Sequence, residues 1–194
     1  MKKAAIYKLF STIPTVDTPR LTLRAMRVTD AADMFDYAHR EDVTRYLVWT
    51  PHPNVHHTRE YLTYVGQRYR TGDFYDWAIV HREEGRMIGT CGFTRFDFSS
   101  DSAEIGYVLH PDYCGRGLAT EAVRAVIDFG FERLELHRIE ARYIQGNDAS
   151  RRLMARVGMT FEGYARESMK IKGAYQTIGT CALLAEEYRT MKEQ

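Results

Sequence analysis

The chain has 194 residues, 44% of them hydrophobic and 27% charged, with a formal net charge of +1. That length suits one domain with a real core, and the composition is ordinary for a globular protein. The near-neutral charge argues against direct nucleic-acid binding, no run of about 18 apolar residues reads as a membrane span, and three scattered cysteines (Cys91, Cys114, Cys181) make no disulfide framework.

The opening Met1-Lys2-Lys3-Ala4-Ala5-Ile6-Tyr7-Lys8 is charged and lacks the apolar stretch of a secretory signal, so a cytoplasmic protein is expected. Residues 1–16 read as a lead-in and 17–194 as a single domain. Leu21 to Met26 alternates like a half-buried strand. Thr29 or Asp30 stands at the N-cap of a helix carrying Met34, Phe35 and Ala38, and a second short helix is expected through Val43-Tyr46-Leu47. Pro51 and Pro53 force a loop, after which a helix is expected from about Thr58 to Arg70, ending at Gly72. Phe74–His81, Met87–Phe96 and Ala103–Leu109 read as a three-strand meander. A helix from Leu118 to Arg133, a strand over 137–145 and a helix from Asn147 or Asp148 to Val157 follow, the last closed by Gly158. Two strands, near 159–171 and 174–184, turn at Lys172-Gly173. This order predicts an α+β fold: a mixed, mostly antiparallel twisted sheet with a central parallel β-α-β crossover.

The stretch that carries chemistry is Glu104 to Thr120. Its strand is stopped by His110-Pro111, because proline lacks an N–H and restricts the residue before it. Cys114-Gly115-Arg116-Gly117-Leu118-Ala119-Thr120 then leads into a helix. Glycines directly ahead of a helix bring backbone N–H groups close to an anion, and the helix dipole adds positive potential, which is how a pyrophosphate is held. A dinucleotide loop Gly-x-Gly-x-x-Gly fails here, since its last position is Thr120. Gly106 inside the strand marks a packing accommodation or a close backbone approach. His52, His56 and His57 cluster without a Cys or carboxylate at ligand spacing, so no metal is expected.

The glycine loop at this strand–helix junction resembles that of the GNAT superfamily of acetyl-coenzyme A-dependent N-acetyltransferases, which reads roughly Gln/Arg-x-x-Gly-x-Gly/Ala. Gly117 and Ala119 match its fourth and sixth positions; Cys114 departs from the first. Thr18-Pro19-Arg20-Leu21-Thr22-Leu23-Arg24, Glu104-Ile105-Gly106-Tyr107, Leu136-His137-Arg138-Ile139-Glu140-Ala141, Asn147-Asp148-Ala149-Ser150, Val157-Gly158-Met159 and Glu162-Gly163 resemble the ribosomal-protein N-terminal (RimJ/RimL-like) branch.

The resemblance implies a GNAT-like fold and acetyl-coenzyme A as co-substrate. The N–H groups of residues 115–120 would bind the diphosphate, with Arg116 adding charge. The backbone of Tyr107 and Leu109 would pair with pantetheine, and that of Tyr107–Val108 would polarise the thioester carbonyl. Ser150 would lie near the sulfur, and Asn147 would cap its helix and reach pantetheine. Many members place a tyrosine four residues beyond that serine as the acid; here Met154 stands there, leaving Ser150 or a water. Glu104 has two readings, a solvated face or a general base acting directly or through water. An α-amine titrates at about 7.7–8.0, so it needs only a weak base, whereas a lysine at about 10.4 needs a stronger one.

The function expected is transfer of an acetyl group to an amine, a protein N-terminus by branch resemblance. A small-molecule amine acceptor, a non-catalytic acyl-coenzyme A sensor and a nucleotide-binding module are the alternatives. Residues 49–75 are expected to form the acceptor wall, and the state to be a monomer or homodimer.

Overall fold

The computed structural model describes residues 3–193. Eight strands form one sheet in the order β1-β2-β3-β4-β5-β6-β8-β7. They are β1 (Val16–Asp17), β2 (Leu21–Arg24), β3 (Tyr75–His81), β4 (Arg86–Asp97), β5 (Ser102–Leu109), β6 (Arg138–Ile144), β7 (Thr160–Ile171) and β8 (Ala174–Leu184). All neighbours are antiparallel except β5 and β6, the mixed, mostly antiparallel sheet expected from the sequence. The helices are α1 (Lys3–Phe10), α2 (Ala31–Ala38), α3 (Glu41–Thr44), α4 (Val55–Thr71), α5 (Leu118–Asp128), α6 (Asp148–Arg156) and α7 (Ala185–Glu193). No helix among the described residues is long and apolar enough to cross a membrane.

The period-two pattern of β3 builds two cores, because successive side chains leave a strand on opposite faces. Trp77 and Ile79 join Phe93, Leu118, Val126 and Leu153 on one face. Ala78 and Val80 join Met34, Tyr37, Leu62 and Val65, from α2 and α4, on the other. Burying each large side chain contributes about 1.5–3 kcal/mol. Helix α4 begins one turn earlier than the periodicity suggests, because Asn54 caps it by accepting the His57 N–H at 2.9 Å; it ends at Gly72, whose φ of 71° is left-handed.

Among the differences from the expectation are helices at both ends of the described chain, a short β1, an α3 that ends at Thr44 and an α5 that ends at Asp128 rather than Arg133. Residues 3–10, read as lead-in, form α1, and Ile6 and Phe10 lie in the first core against Trp77 and Phe129. The segment after it is tied down by the Trp77 indole, which donates to the Pro14 carbonyl at 2.7 Å. At the other end, α7 stacks Tyr188 on Phe131, with ring centroids 4.7 Å apart, and the single Tyr188 hydroxyl proton lies between the carboxylates of Asp128, at 2.7 Å, and Glu132, at 2.5 Å.

The crossover positions the site. β5 and β6 pair only from Ser102–Ile105 to Arg138–Ala141. Beyond that, β5 stays with β4 as far as Leu109, and β6 stays with β8 as far as Ile144. The parallel pair therefore opens from Gly106 onward, at the C-terminal end of β5, where α5 and α6 present their N-termini.

Candidate active site

The opening between β5 and β6 is the floor of a cavity of about 1830 Å³. That exceeds the 300–1,000 Å³ or so of an ordinary ligand pocket, enough for two reactants side by side. Its wall carries Tyr107, Val108 and Leu109 from β5, the loop around Gly115 and Gly117, the first turn of α5 (Leu118, Ala119, Thr120), and Asn147 and Ser150 at the start of α6.

The loop is shaped by its glycines. Gly115 and Gly117 have φ of 74° and 78°, a region other L-residues enter at a cost of about 1–2 kcal/mol. The Glu121 N–H is the first in α5 to bond back, to the Gly117 carbonyl at 3.0 Å. The N–H groups of the turn before it have no intrahelical partner and are available to an anion. Arg20 holds the loop from across the sheet. Its Nε donates to Glu121 at 2.6 Å and its Nη1 to the Arg116 carbonyl at 2.9 Å, while the Thr18 hydroxyl donates to the other Glu121 oxygen at 2.7 Å. Burial pushes the Glu121 carboxyl up, but Thr18 and Arg20 outweigh it and hold the group below its usual value. Cys114, exposed, has its thiol pushed up by burial and by Asp112, so it carries no thiolate character. These features fit a phosphate-bearing ligand such as coenzyme A: a cradle of free N–H groups, two glycines that a Cβ would strain, and arginines (Arg20, Arg124, Arg156) lining the same cavity.

At the other side of the gap the Ser150 hydroxyl is 2.7 Å from the Tyr107 hydroxyl. Capping does not consume it, because Asn147 Oδ1 accepts the Ser150 N–H at 3.2 Å and does that work. Met154 is buried in the core, 1% exposed. Position 154 thus offers no hydroxyl to the cavity, and the hydroxyl beside Ser150 belongs to Tyr107 on β5. Burial pushes the Tyr107 phenol well above its usual value and keeps it protonated.

Two residues singled out in the sequence stand away from the wall. Glu104, its side chain 12% exposed, accepts from Arg142 at 2.6 Å and lies 3.9 Å from Arg95, so its charge is committed to guanidinium groups. The Arg116 guanidinium packs 5.2 Å over the Tyr113 ring. The histidine cluster is aromatic packing: His52 Nδ1 is 2.8 Å from the Thr58 hydroxyl, and its ring meets Trp49, His57 and Tyr61.

Opposite the loop, the cavity is walled by Tyr46, Leu47, Val48 and Trp49, and by Asp76 and Thr90 from the sheet. A strap holds the segment that carries Tyr46 into this wall. Lys172, at the β7–β8 turn, donates to the Thr44 carbonyl at 2.6 Å, and Tyr46 packs against Ile144, Ile171 and Ile178.

Residues 20–160 match the family model described as "Acetyltransferase (GNAT) domain". The chain is 36% identical over 174 residues to an uncharacterised N-acetyltransferase, p20, of Bacillus licheniformis, covering 90% of this chain and 98% of that one. It is 27% identical over 186 residues to the [Ribosomal protein uS5]-alanine N-acetyltransferase of Escherichia coli, covering 92% and 95%. The crystal structure of a GNAT-family acetyltransferase from Bacillus anthracis superposes with a TM-score of 0.79 at 26% identity, covering 89% of this chain and 99% of that one.

Proposed function

The chain belongs to the GNAT acetyltransferase family, and from that membership we propose that it transfers the acetyl group of acetyl-coenzyme A directly to a primary amine, a protein or peptide N-terminal α-amine. The observation that carries the reading is the opening of β5 from β6 directly beneath the glycine loop.

The loop N–H groups of residues 115–120 hold the diphosphate, and the freed backbone of Tyr107 and Leu109 aligns the pantetheine arm as an added strand. The thioester supplies an activated acetyl group. Backbone near Tyr107–Val108 faces its carbonyl and stabilises negative charge there, the role of preorganised N–H donors in acyl transfer. Ser150, hydrogen-bonded to Tyr107, stands by the sulfur and returns a proton to it. A thiol of pKa about 8.5 is a good leaving group at neutral pH, so this proton adds little to the rate.

The N-terminal acceptor is supported by likeness to a ribosomal-protein alanine acetyltransferase along nearly the whole chain. The strap supports a slender acceptor, since the tie of Thr44 to Lys172 and the packing of Tyr46 fix the segment that lines the wall opposite the loop. A small-molecule amine meets the same limit and is the second reading.

Calorimetric titration with acetyl-coenzyme A, with NAD and ATP as controls, tests the cofactor. Selective binding followed by turnover of free-amine peptides, absent with N-terminally blocked ones, is the expected result. Binding without turnover of any amine would make the chain a sensor.

A further inference from the structure

We propose that Asp76 is the acceptor's docking group and base: its carboxylate receives the primary ammonium of the acceptor and takes the proton that must leave before attack. This rests on the acetyltransferase reading above and assigns the acceptor half of the same cavity.

Geometry leads to it. Asp76 lines the cavity from β3, on the face away from α5 and α6. Its Oδ1 is shielded and has no hydrogen-bond partner, so an ammonium from the cavity meets the carboxylate at Oδ2, and among the described residues no Arg or Lys pairs with it. An orphaned carboxylate oxygen is costly and calls for a ligand or a function. The register places Asp76 opposite Gly92, and Gly92 opposite Gly106. No side chain stands in that row between the carboxylate and the strand that opens from β6. Two strand spacings, about 9–10 Å, separate the two backbones, room for an amine nitrogen and the carbonyl it attacks. A Cβ at Gly92 would run into the β3 backbone at Tyr75 and Asp76 and come within 2.9 Å of Asp76 Oδ1, and one at Gly106 would come within 2.7 Å of the Thr94 methyl, so both positions are kept without side chains. Glu104, the strand carboxylate singled out in the sequence, is occupied by Arg142.

The chemistry matches. Burial pushes the Asp76 carboxyl up to about 7, opposed by the Thr90 hydroxyl and the Trp77 N–H, which favour the charged form. The titratable groups near enough to feel it are Tyr37 on α2, Tyr61 and Tyr69 on α4, and Cys91 on β4, all pushed up by burial and neutral. Transfer from an α-ammonium of pKa about 7.7–8.0 to such a carboxylate is uphill by about tenfold; from a lysine at about 10.4 it is uphill by more than a thousandfold. In balance, R–NH₃⁺ and Asp76–COO⁻ become R–NH₂ and Asp76–COOH. The nitrogen lone pair forms the C–N bond, the C–S bond breaks, the second N–H proton goes to the departing sulfur, and Asp76 returns its proton to water. The site therefore selects α-amines over lysines.

The test has two independent arms on the full chain. In the first, the Asp76 carboxyl is followed by ¹³C NMR without acetyl-coenzyme A. A midpoint near 7 that falls when a free-amine tetrapeptide is added is expected, and Thr90→Val should raise it. A midpoint near the ordinary value of about 3.9, insensitive to peptide, overturns the proposal. In the second, Asp76→Asn is compared with wild type for kcat/KM from pH 6 to pH 9. A loss of about a hundredfold at pH 6 is expected. It should shrink towards pH 9, where the acceptor is already deprotonated, with acetyl-coenzyme A affinity within twofold and partial rescue in Asp76→Glu. A loss equal at every pH, or shared by cofactor affinity, makes Asp76 structural. Failure of wild type to bind acetyl-coenzyme A would instead overturn the acetyltransferase reading and leave the NMR arm to decide Asp76.

Discussion

The Tyr107 hydroxyl and the Ser150 hydroxyl lie 2.7 Å apart, joining the strand that opens to the helix that faces it. Position 107 is on β5 and position 150 in the first turn of α6, so this bond spans the place where the sulfur of the donor is expected. Ser150→Ala and Tyr107→Phe should each lower kcat by about three- to tenfold at pH 7, with acetyl-coenzyme A affinity within twofold. The loss should be small because the thiolate needs little help. Steady-state kinetics beside calorimetry checks this; a matched loss of affinity would assign the pair to binding.

Arg20→Ala should weaken acetyl-coenzyme A about tenfold. The change removes the guanidinium from Glu121, which then stands as a bare carboxylate in the first turn of the anion-binding helix. Glu121→Gln added to it should recover most of the affinity, a coupling that calorimetry of the double-mutant cycle reads directly.

Gly117→Val should cost cofactor affinity more than stability. Its φ of 78° disfavours any branched side chain, and an added Cβ would approach the Arg20 guanidinium at 3.4 Å. A loss of at least tenfold in affinity with about 1–2 kcal/mol in stability is expected, from titration and denaturant unfolding on the same sample.

Asp76 should also write itself into the pH dependence of stability. Its folded pKa of about 7 lies above the ordinary carboxyl value, so the folded state binds the extra proton between about pH 4 and pH 7. Stability therefore falls as pH rises through that window, the reverse of a paired carboxylate. Thermal melts should show the decline in wild type and a flatter profile in Asp76→Asn.

The fold was largely legible because its signals are local. Alternation along β3 to β5, the left-handed Gly72 and the His110-Pro111 stop each depend on neighbours in sequence. Helix α1 was not legible, because only Ile6 and Phe10 mark its buried face over so short a stretch, and their partners are Trp77 and Phe129, far along the chain. α7 went unread for the same reason. The anion loop was readable from glycines at a helix start. Glu104 was singled out by its strand position and by the resemblance of Glu104-Ile105-Gly106-Tyr107; nothing in either announces Arg142, 38 residues on, as its partner. Asp76 was invisible for the complementary reason: what singles it out is the emptiness of positions 92 and 106 on the strands beside it, a property of register.

The tie between Arg20 and Glu121 also bears on how the chain acquires its activity. The two residues are 101 apart, and closing a loop of that length is entropically slow compared with forming the local hairpins of β3 to β5. Competence to bind the donor should therefore arrive only once the amino-terminal segment has docked across the sheet. A chain whose central meander and crossover have folded but whose first two dozen residues have not should remain inert toward its cofactor, making donor binding a late reporter of complete folding.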